Sequence, residues 1–384
     1  MGIFGNIRGI KDIGILGFSN LIGSGISALF WIYLAGVLGA ENYGELSFYI
    51  SIAGIATSVS FIGGPMAITV LVAKKVKIES TIHLFSILGS IIAAIILYFA
   101  FTNVGLSIYV LGAVIYNLGV SELLGRKFYK KYSLYFITQK ILFVLLSLML
   151  YYVIGPEGVL LGIGLSFIPF AIPIYLSFKN TPINFQLLKT KWKFMSSNFL
   201  IDLAQVFNGQ IDRLLIGPFF GFTVLGNYYL AIQILNLLAI MPEIVKKYTL
   251  PEESSGENTN KIKILTVLFS IILALVGIFV APAIISIVFP EYIEAIDLIP
   301  VISISIIPTT VYTLYVSKFL SLEKSAYIVI TSIVSIIILV IGIFTLGNFL
   351  GNIGLAYSLV LSDIARALMI FCFSRTQKIK DLRN

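Results

Sequence analysis

Apolar runs of about 20 residues, the length that spans a hydrocarbon core of about 30 Å, recur along the whole chain between short polar breaks. Read run by run, they predict twelve membrane-spanning helices. The spans fall at roughly 14–38, 44–73, 82–101, 104–125, 133–154, 157–178, 193–218, 224–246, 262–289, 295–317, 325–346 and 352–374. Most connections between them are only a few residues long, as in a compact all-α bundle. Two are longer: 179–191, which opens Lys-Asn-Thr-Pro, and the polar, acidic stretch Pro251–Asn260. The first run follows Arg8 and Lys11 and is too long for the apolar core of a signal peptide, so it reads as a retained helix.

The basic residues test this topology. With the N-terminus in the cytoplasm and the spans alternating, all but three of the 26 Lys and Arg residues fall on the inner side. They cluster at Arg8 and Lys11, Lys74–Lys77, Arg126–Lys131, Lys179–Lys193, Lys246–Lys263, Lys318 and Lys324, and Arg375–Arg383. The outer connections hold no Lys, Arg or His and carry Glu41, Glu45, Glu157, Glu291, Glu294 and Asp297 instead. Positive charge retained on the cytoplasmic side orients helical membrane proteins. The pattern predicts a multi-pass protein of the cell membrane with both termini cytoplasmic, and it assigns the net charge of +8 to orientation rather than to nucleic acid.

Composition agrees. Mean hydropathy is +1.01 and only 11% of residues are charged, whereas a soluble domain carries about 25%. One cysteine, Cys372, and one histidine, His83, leave no disulfide framework and make a Cys/His metal site or a histidine-based catalytic triad unexpected. Both read as packing residues. No phosphate-binding glycine loop or nucleotide domain occurs, so ATP hydrolysis by the chain itself is not expected. Neither a cofactor nor a metal is expected, and the chain does not read as an enzyme.

The two halves echo each other. Gly39-Ala-Glu-Asn-Tyr-Gly44 aligns with Gly221-Phe-Thr-Val-Leu-Gly226, Pro65 before Lys74 with Pro242 before Lys246, and Gly155 and Gly158 with Gly351 and Gly354. A repeat of six helices starts on the same side each time, so the halves are expected to be parallel, related by an axis along the membrane normal. Transporters built this way bind substrate between the halves and rock one against the other. The predicted domains are a six-helix bundle over 1–178, a cytoplasmic linker over 179–191, a second six-helix bundle over 192–374 and a basic tail over 375–384. Pro65, Pro242, Pro282, Pro300 and Pro308 interrupt the hydrogen-bond ladder inside spans and mark bending points or ordinary kinks.

Two stretches resemble a known family. Leu38-Gly-Ala-Glu-Asn-Tyr-Gly-Glu-Leu-Ser-Phe-Tyr49 looks like the opening of the polysaccharide-biosynthesis proteins, the lipid-linked oligosaccharide (repeat-unit) flippases of the multidrug/oligosaccharidyl-lipid/polysaccharide (MOP) exporter superfamily. Gln210-Ile-Asp-Arg-Leu-Leu-Ile-Gly217, with Leu225-Gly-Asn-Tyr228, resembles that family's second-half pattern. The resemblance implies a MATE-like fold. It also implies a flippase that carries a polyprenyl-phosphate- or pyrophosphate-linked glycan from the inner to the outer leaflet by alternating access. The implied partners are the lipid-linked glycan, membrane lipids and the glycan polymerase and glycosyltransferase machinery. A multidrug or organic-cation antiporter of the same fold is the alternative. A membrane glycan polymerase or ligase would need a sizeable outer domain, for which the short outer connections leave no room.

Charges inside a bilayer cost roughly 2.5–3.5 kcal/mol each, so they face a cavity or a partner. The seventh span is the most polar: Asn198, Asp202, Gln205, Asn208 and Asp212 fall on one stripe of a helix. Asp202 sits near mid-membrane with no basic residue one turn away, which makes it the candidate coupling-ion group. Asn20 and Ser24 on the first span lie at a comparable depth, and Asn20 is the repeat partner of Asp202. The three remaining bases, Lys140, Arg213 and Arg366, can meet a lipid phosphate by charge-assisted hydrogen bonds. Lys140 can equally snorkel to the headgroups. Asp363 and Arg366, spaced i,i+3, read as a structural pair.

Overall fold

The computed structural model describes residues 4–254, 259–322 and 324–381. Among these residues there are no strands, and sixteen α-helices account for nearly the whole chain. The first half contains α1 (Phe4–Ser60), α2 (Gly64–Ala73), α3 (Glu79–Phe101), α4 (Val104–Gly125), α5 (Tyr129–Ile154), α6 (Pro156–Ser166) and α7 (Ala171–Asn180). The second half contains α8 (Phe185–Phe220), α9 (Phe222–Leu238), α10 (Ile240–Ser254), α11 (Asn260–Phe279), α12 (Ala281–Val288), α13 (Ile293–Ile304), α14 (Ile306–Ser321), α15 (Ser325–Leu350) and α16 (Asn352–Asp381).

The twelve expected spans map onto these helices. Eight segments are long and apolar enough to cross a membrane, and two pairs, α9 with α10 and α13 with α14, become spans if their bends of 45° and 41° are counted as interruptions. At about 1.5 Å per residue, the 57 residues of α1 far exceed one crossing. Gly39, at φ 72° and ψ 168°, breaks α1 into two helices. Counting α8, 36 residues long and marked by a stripe of amides and carboxylates, as a span completes the twelve. Side chains such as Phe99, Ile287 and Phe349 are 78%, 81% and 87% exposed, an arrangement that water would penalise and lipid does not.

The repeat is visible in the backbone. Gly39 and Gly221 (φ 100°, ψ 153°) turn the chain between the first two spans of each half. Gly155 (φ 80°, ψ −159°) and Gly351 (φ 62°, ψ −141°) do the same between the fifth and sixth. Each joint needs a positive φ that a Cβ disfavours. A side chain at Gly158 would strike the Leu150 carbonyl, and one at Gly354 the Leu346 carbonyl, so α5–α6 and α15–α16 are hairpins closed by the same glycine eight residues past the same contact.

The proline interruptions fall mostly where the sequence places them. Breaks adjoin Pro65 (at Phe61–Gly63), Pro242, Pro282 and Pro308, whereas Pro300 lies inside α13 with no break. Two connections are shorter than expected. Helix occupies both ends of 179–191 and leaves only 181–184 non-helical, because Asn184 caps α8 by accepting from the Leu187 amide at 2.9 Å. Pro251–Asn260 is helical to Ser254; its residues 255–258, like 382–384 of the basic tail, lie outside the described residues.

The chain forms two compact units. One comprises Met1–Phe30 and Tyr49–Val206, the other Trp31–Phe48 and Phe207–Asn384. In the first, Phe61, Ile68, Leu71, Ile82, Leu118 and Met195 build one core, and Leu123, Tyr132, Phe136 and Phe170 a second. In the second, Val316, Phe319, Ile328 and Ile370 cluster between α14, α15 and α16. The hairpin Trp31–Phe48 belongs to the second unit because Tyr292 donates to the Ala35 carbonyl at 2.8 Å and Tyr43 packs on Tyr229 with ring centroids 5.0 Å apart.

Candidate functional site

In the first unit, Asp202 lies on α8 beside the break that separates α1 from α2. Ser58, near the end of α1, donates to Asp202 Oδ2 at 2.8 Å. Gly64 packs so closely that a Cβ there would lie 3.3 Å from Asp202 Cβ. Loss of helix at Phe61–Gly63 thus lets the carboxylate approach the chain. Its second oxygen has no protein partner among the described residues. Asn198 turns back to the Phe194 carbonyl at 2.8 Å, and Gln205 is exposed.

Asn20, the repeat partner of Asp202, donates to the Leu16 carbonyl at 2.7 Å and accepts from Tyr132 at 3.3 Å. Ser24 is half-buried one turn further on. Lys140 sits on α5 with its ammonium 5.3 Å from the Phe136 ring centre and 5.4 Å from that of Phe143. No carboxylate comes within ion-pair distance of it among the described residues. The rings at i−4 and i+3 hold the cation by their negative faces without neutralising it.

The second unit holds a connected polar network. Arg366 on α16 donates to Asp363 Oδ1 at 3.0 Å and to Asn208 Oδ1, and its guanidinium lies 4.1 Å from the Tyr312 ring centre. Asn208 uses its own amide to reach the Ser335 hydroxyl at 3.1 Å and the Ser332 carbonyl at 3.3 Å, so the network joins α8, α15 and α16. Nearer the α8–α9 turn, Asp212 is buried, accepting from Tyr228 at 3.0 Å and from the Arg213 amide at 2.9 Å. Arg213 donates to Gln210 at 2.8 Å and lies 5.0 Å from the Tyr229 ring centre.

The candidate residues divide between the two units. Asp202, Asn20 and Lys140 belong to the first unit; Asn208, Asp212, Arg213, Asp363 and Arg366 belong to the second. Sequence reasoning missed Ser58, Tyr228, Tyr312, Ser332 and Ser335. Tyr228 closes the stretch Leu225-Gly-Asn-Tyr228 that carries the family resemblance, but no local signal marks the other four, since each is an ordinary residue of an apolar helix until a distant partner is known. Among the described residues no group of three or more His, Cys, Asp or Glu could hold a metal ion. Cys372, read as a packing residue, is exposed.

Chemically, the unit-two cations are tied to protein oxygens and rings, whereas Lys140 has rings and no ion-pair partner among the described residues. Arg213 and Arg366 each combine an aromatic ring with a side-chain amide oxygen, whereas Lys140 has the Phe136 and Phe143 rings.

No protein-family model and no curated protein sequence matches the chain. Solved structures do. The lipid II flippase MurJ in an inward closed conformation superposes with a TM-score of 0.79 at 13% identity, covering 94% of this chain and 87% of that one. An inward-facing multidrug resistance MATE family transporter of the MOP superfamily gives a TM-score of 0.70 at 14% identity, with coverage of 92% and 93%. A MOP superfamily transporter from Pyrococcus furiosus gives 0.61 at 16% identity, with coverage of 97% and 96%. The all-α, twice-six-helix membrane architecture of this chain is the fold shared by MATE transporters and the MurJ flippase of the MOP superfamily.

Proposed function

We propose that this chain is a flippase that moves a polyprenyl-phosphate- or pyrophosphate-linked oligosaccharide from the cytoplasmic to the outer leaflet of the cell membrane by alternating access. On this reading both termini are cytoplasmic, and the chain serves surface glycan assembly rather than catalysing a reaction. Lys140 carries the reading. It is a cation in a membrane-spanning helix, held by two rings and opposed by no carboxylate among the described residues, and such a charge is expensive unless an anion joins it. A lipid phosphate supplies that anion while its prenyl tail stays in the bilayer. In the second unit, the acids that an organic-cation antiporter would use are occupied: Asp363 by Arg366 and Asp212 by Tyr228. The fold is compatible with both cargoes, since its structural relatives include a lipid II flippase and multidrug transporters.

The test uses the full chain in liposomes loaded with a fluorescent polyprenyl-pyrophosphate-linked oligosaccharide. The protein should expose inner-leaflet cargo to an impermeant glycosidase faster than protein-free vesicles allow. Lys140→Gln should slow this about tenfold, the effect of losing one charge-assisted hydrogen bond of about 1.5 kcal/mol. Extrusion of an organic-cation dye with no movement of the lipid would assign the antiporter reading instead.

A further inference from the structure

The chain's single histidine, His83, lies in the second turn of α3 and is completely buried. Neither of its ring nitrogens has a hydrogen-bond partner among the described residues. Nε2 faces Oε2 of Glu122 on α4 at 3.9 Å, and that oxygen is buried with no close hydrogen-bond partner among the described residues, although the Ser177 hydroxyl of α7 also approaches the Glu122 carboxylate. The other Glu122 oxygen accepts from Arg126 Nε at 2.9 Å. Arg126 also donates to Glu79 Oε1 at 3.3 Å, leaving Glu79 Oε2 buried without a donor.

The charges do not balance. Two carboxylates face one guanidinium, so with both ionised and the ring neutral the set carries one net negative charge. A buried charge without compensation is costly. Hydrogen bonding is short in the same sense, because a neutral imidazole offers one N–H against several orphan acceptor atoms. No outside cation makes up the difference: Lys74, Lys75 and Lys77 before α3, Lys127 after α4 and Lys179 on α7 are all exposed. From α7 the ring meets the edge of Phe178, with centroids 6.0 Å apart.

One proton corrects both deficits. It neutralises the set and places a donor between His83 Nε2 and Glu122 Oε2, which then need close by only about 1 Å to reach hydrogen-bonding distance. We propose that His83 and Glu122 form a proton-binding site, holding one proton between them, separate from Asp202. The site adjoins the connection that leaves α7: Ser80 donates to the Ser177 carbonyl at 3.0 Å, and the Asn184 amide donates to Thr81 at 2.8 Å. A proton gained or lost there acts on the start of α3, which holds the 181–184 connection in place.

Because the chain has one histidine, ring-15N-histidine labelling of the full protein, purified without a histidine tag into nanodiscs, yields one pair of imidazole signals. The expected result is a one-proton titration of that pair as pH falls. Glu122→Gln should move its midpoint down by about one pH unit or more, a tenfold loss of proton affinity, and Asp202→Asn should leave it in place. If Glu122→Gln does not fold, Glu122→Asp should shift the midpoint in the same direction by less. Imidazole signals that stay fixed down to the lowest pH at which the protein remains folded would overturn the proposal. So would a titration that neither Glu122 variant alters. Neither result bears on whether the chain moves a lipid-linked glycan.

Discussion

Gly44 and Gly226 occupy the same position in the two halves, and each lies against the backbone of the other's helix start. A side chain at Gly44 would collide with the Phe222 carbonyl, and one at Gly226 with the Ala40 carbonyl. Ala40 and Phe222 are themselves repeat partners, at the same separation in sequence as Gly44 and Gly226. The contact is thus its own image, the self-complementary geometry of a two-fold interface built inside one chain.

Both glycines should therefore be intolerant of a methyl group, since the opposing atoms are backbone and cannot rotate away. Gly44→Ala and Gly226→Ala are each expected to destabilise by about 1–3 kcal/mol. Gly25→Ala, where nothing lies within 4 Å, should be neutral or should stabilise by up to about 1 kcal/mol through helix propensity. Thermal unfolding of the detergent-solubilised variants, measured side by side, checks the contrast.

Orientation is tested by reporter fusions. Sites at Glu41, Pro156 and Ile293 should read as outside the cell, and sites at Lys77, Phe128, Phe185, Ser255 and Lys380 as inside. The rule behind this counts Lys and Arg in short loops, so one reversed site breaks the assignment.

The spans were legible because an apolar run long enough to cross a bilayer leaves a signal in every residue of the run. The joints were legible too, since Gly39, Gly155, Gly221 and Gly351 stand where the backbone takes a positive φ. Partners were not. Asp202 drew attention as a charge in a span, but Ser58 lies 144 residues away and looks like any serine of an apolar helix. His83 read as a packing residue because Glu122 is far from it in sequence; only the packing of α3 on α4 brings the two together. The stretch 179–191 read as a linker because lysines and a proline fill it, yet Leu187 and Leu188 pack against the first unit's core and extend α8 back to Phe185.

Asp363 and Arg366 should behave as a unit. Asp363→Asn leaves the Arg366 guanidinium with a neutral amide where it had a carboxylate, and breaking a buried pair from one side costs about 3–5 kcal/mol. The expected result is reduced protein abundance and a lower unfolding temperature. The double variant Asp363→Asn with Arg366→Gln removes both charges and should recover most of that loss. Additive losses in the double variant would show that the two side chains act separately.

Asp202 is expected to separate folding from transport. Its carboxylate takes one hydrogen bond from Ser58 and leaves its second oxygen without a protein partner among the described residues, so little of the packing depends on its charge. Asp202→Asn keeps the size and can still accept from Ser58, but it cannot exchange a proton. The variant should insert and accumulate normally and lose movement of the lipid-linked glycan, while Asp202→Glu retains part of it. Ser58→Ala, which leaves the carboxylate able to titrate, should retain most of the movement. Abundance and lipid movement, measured together for the three variants, decide the matter. Full transport by Asp202→Asn at normal abundance would remove Asp202 from the coupling step and reduce it to a hydrogen-bonding link between α8 and α1.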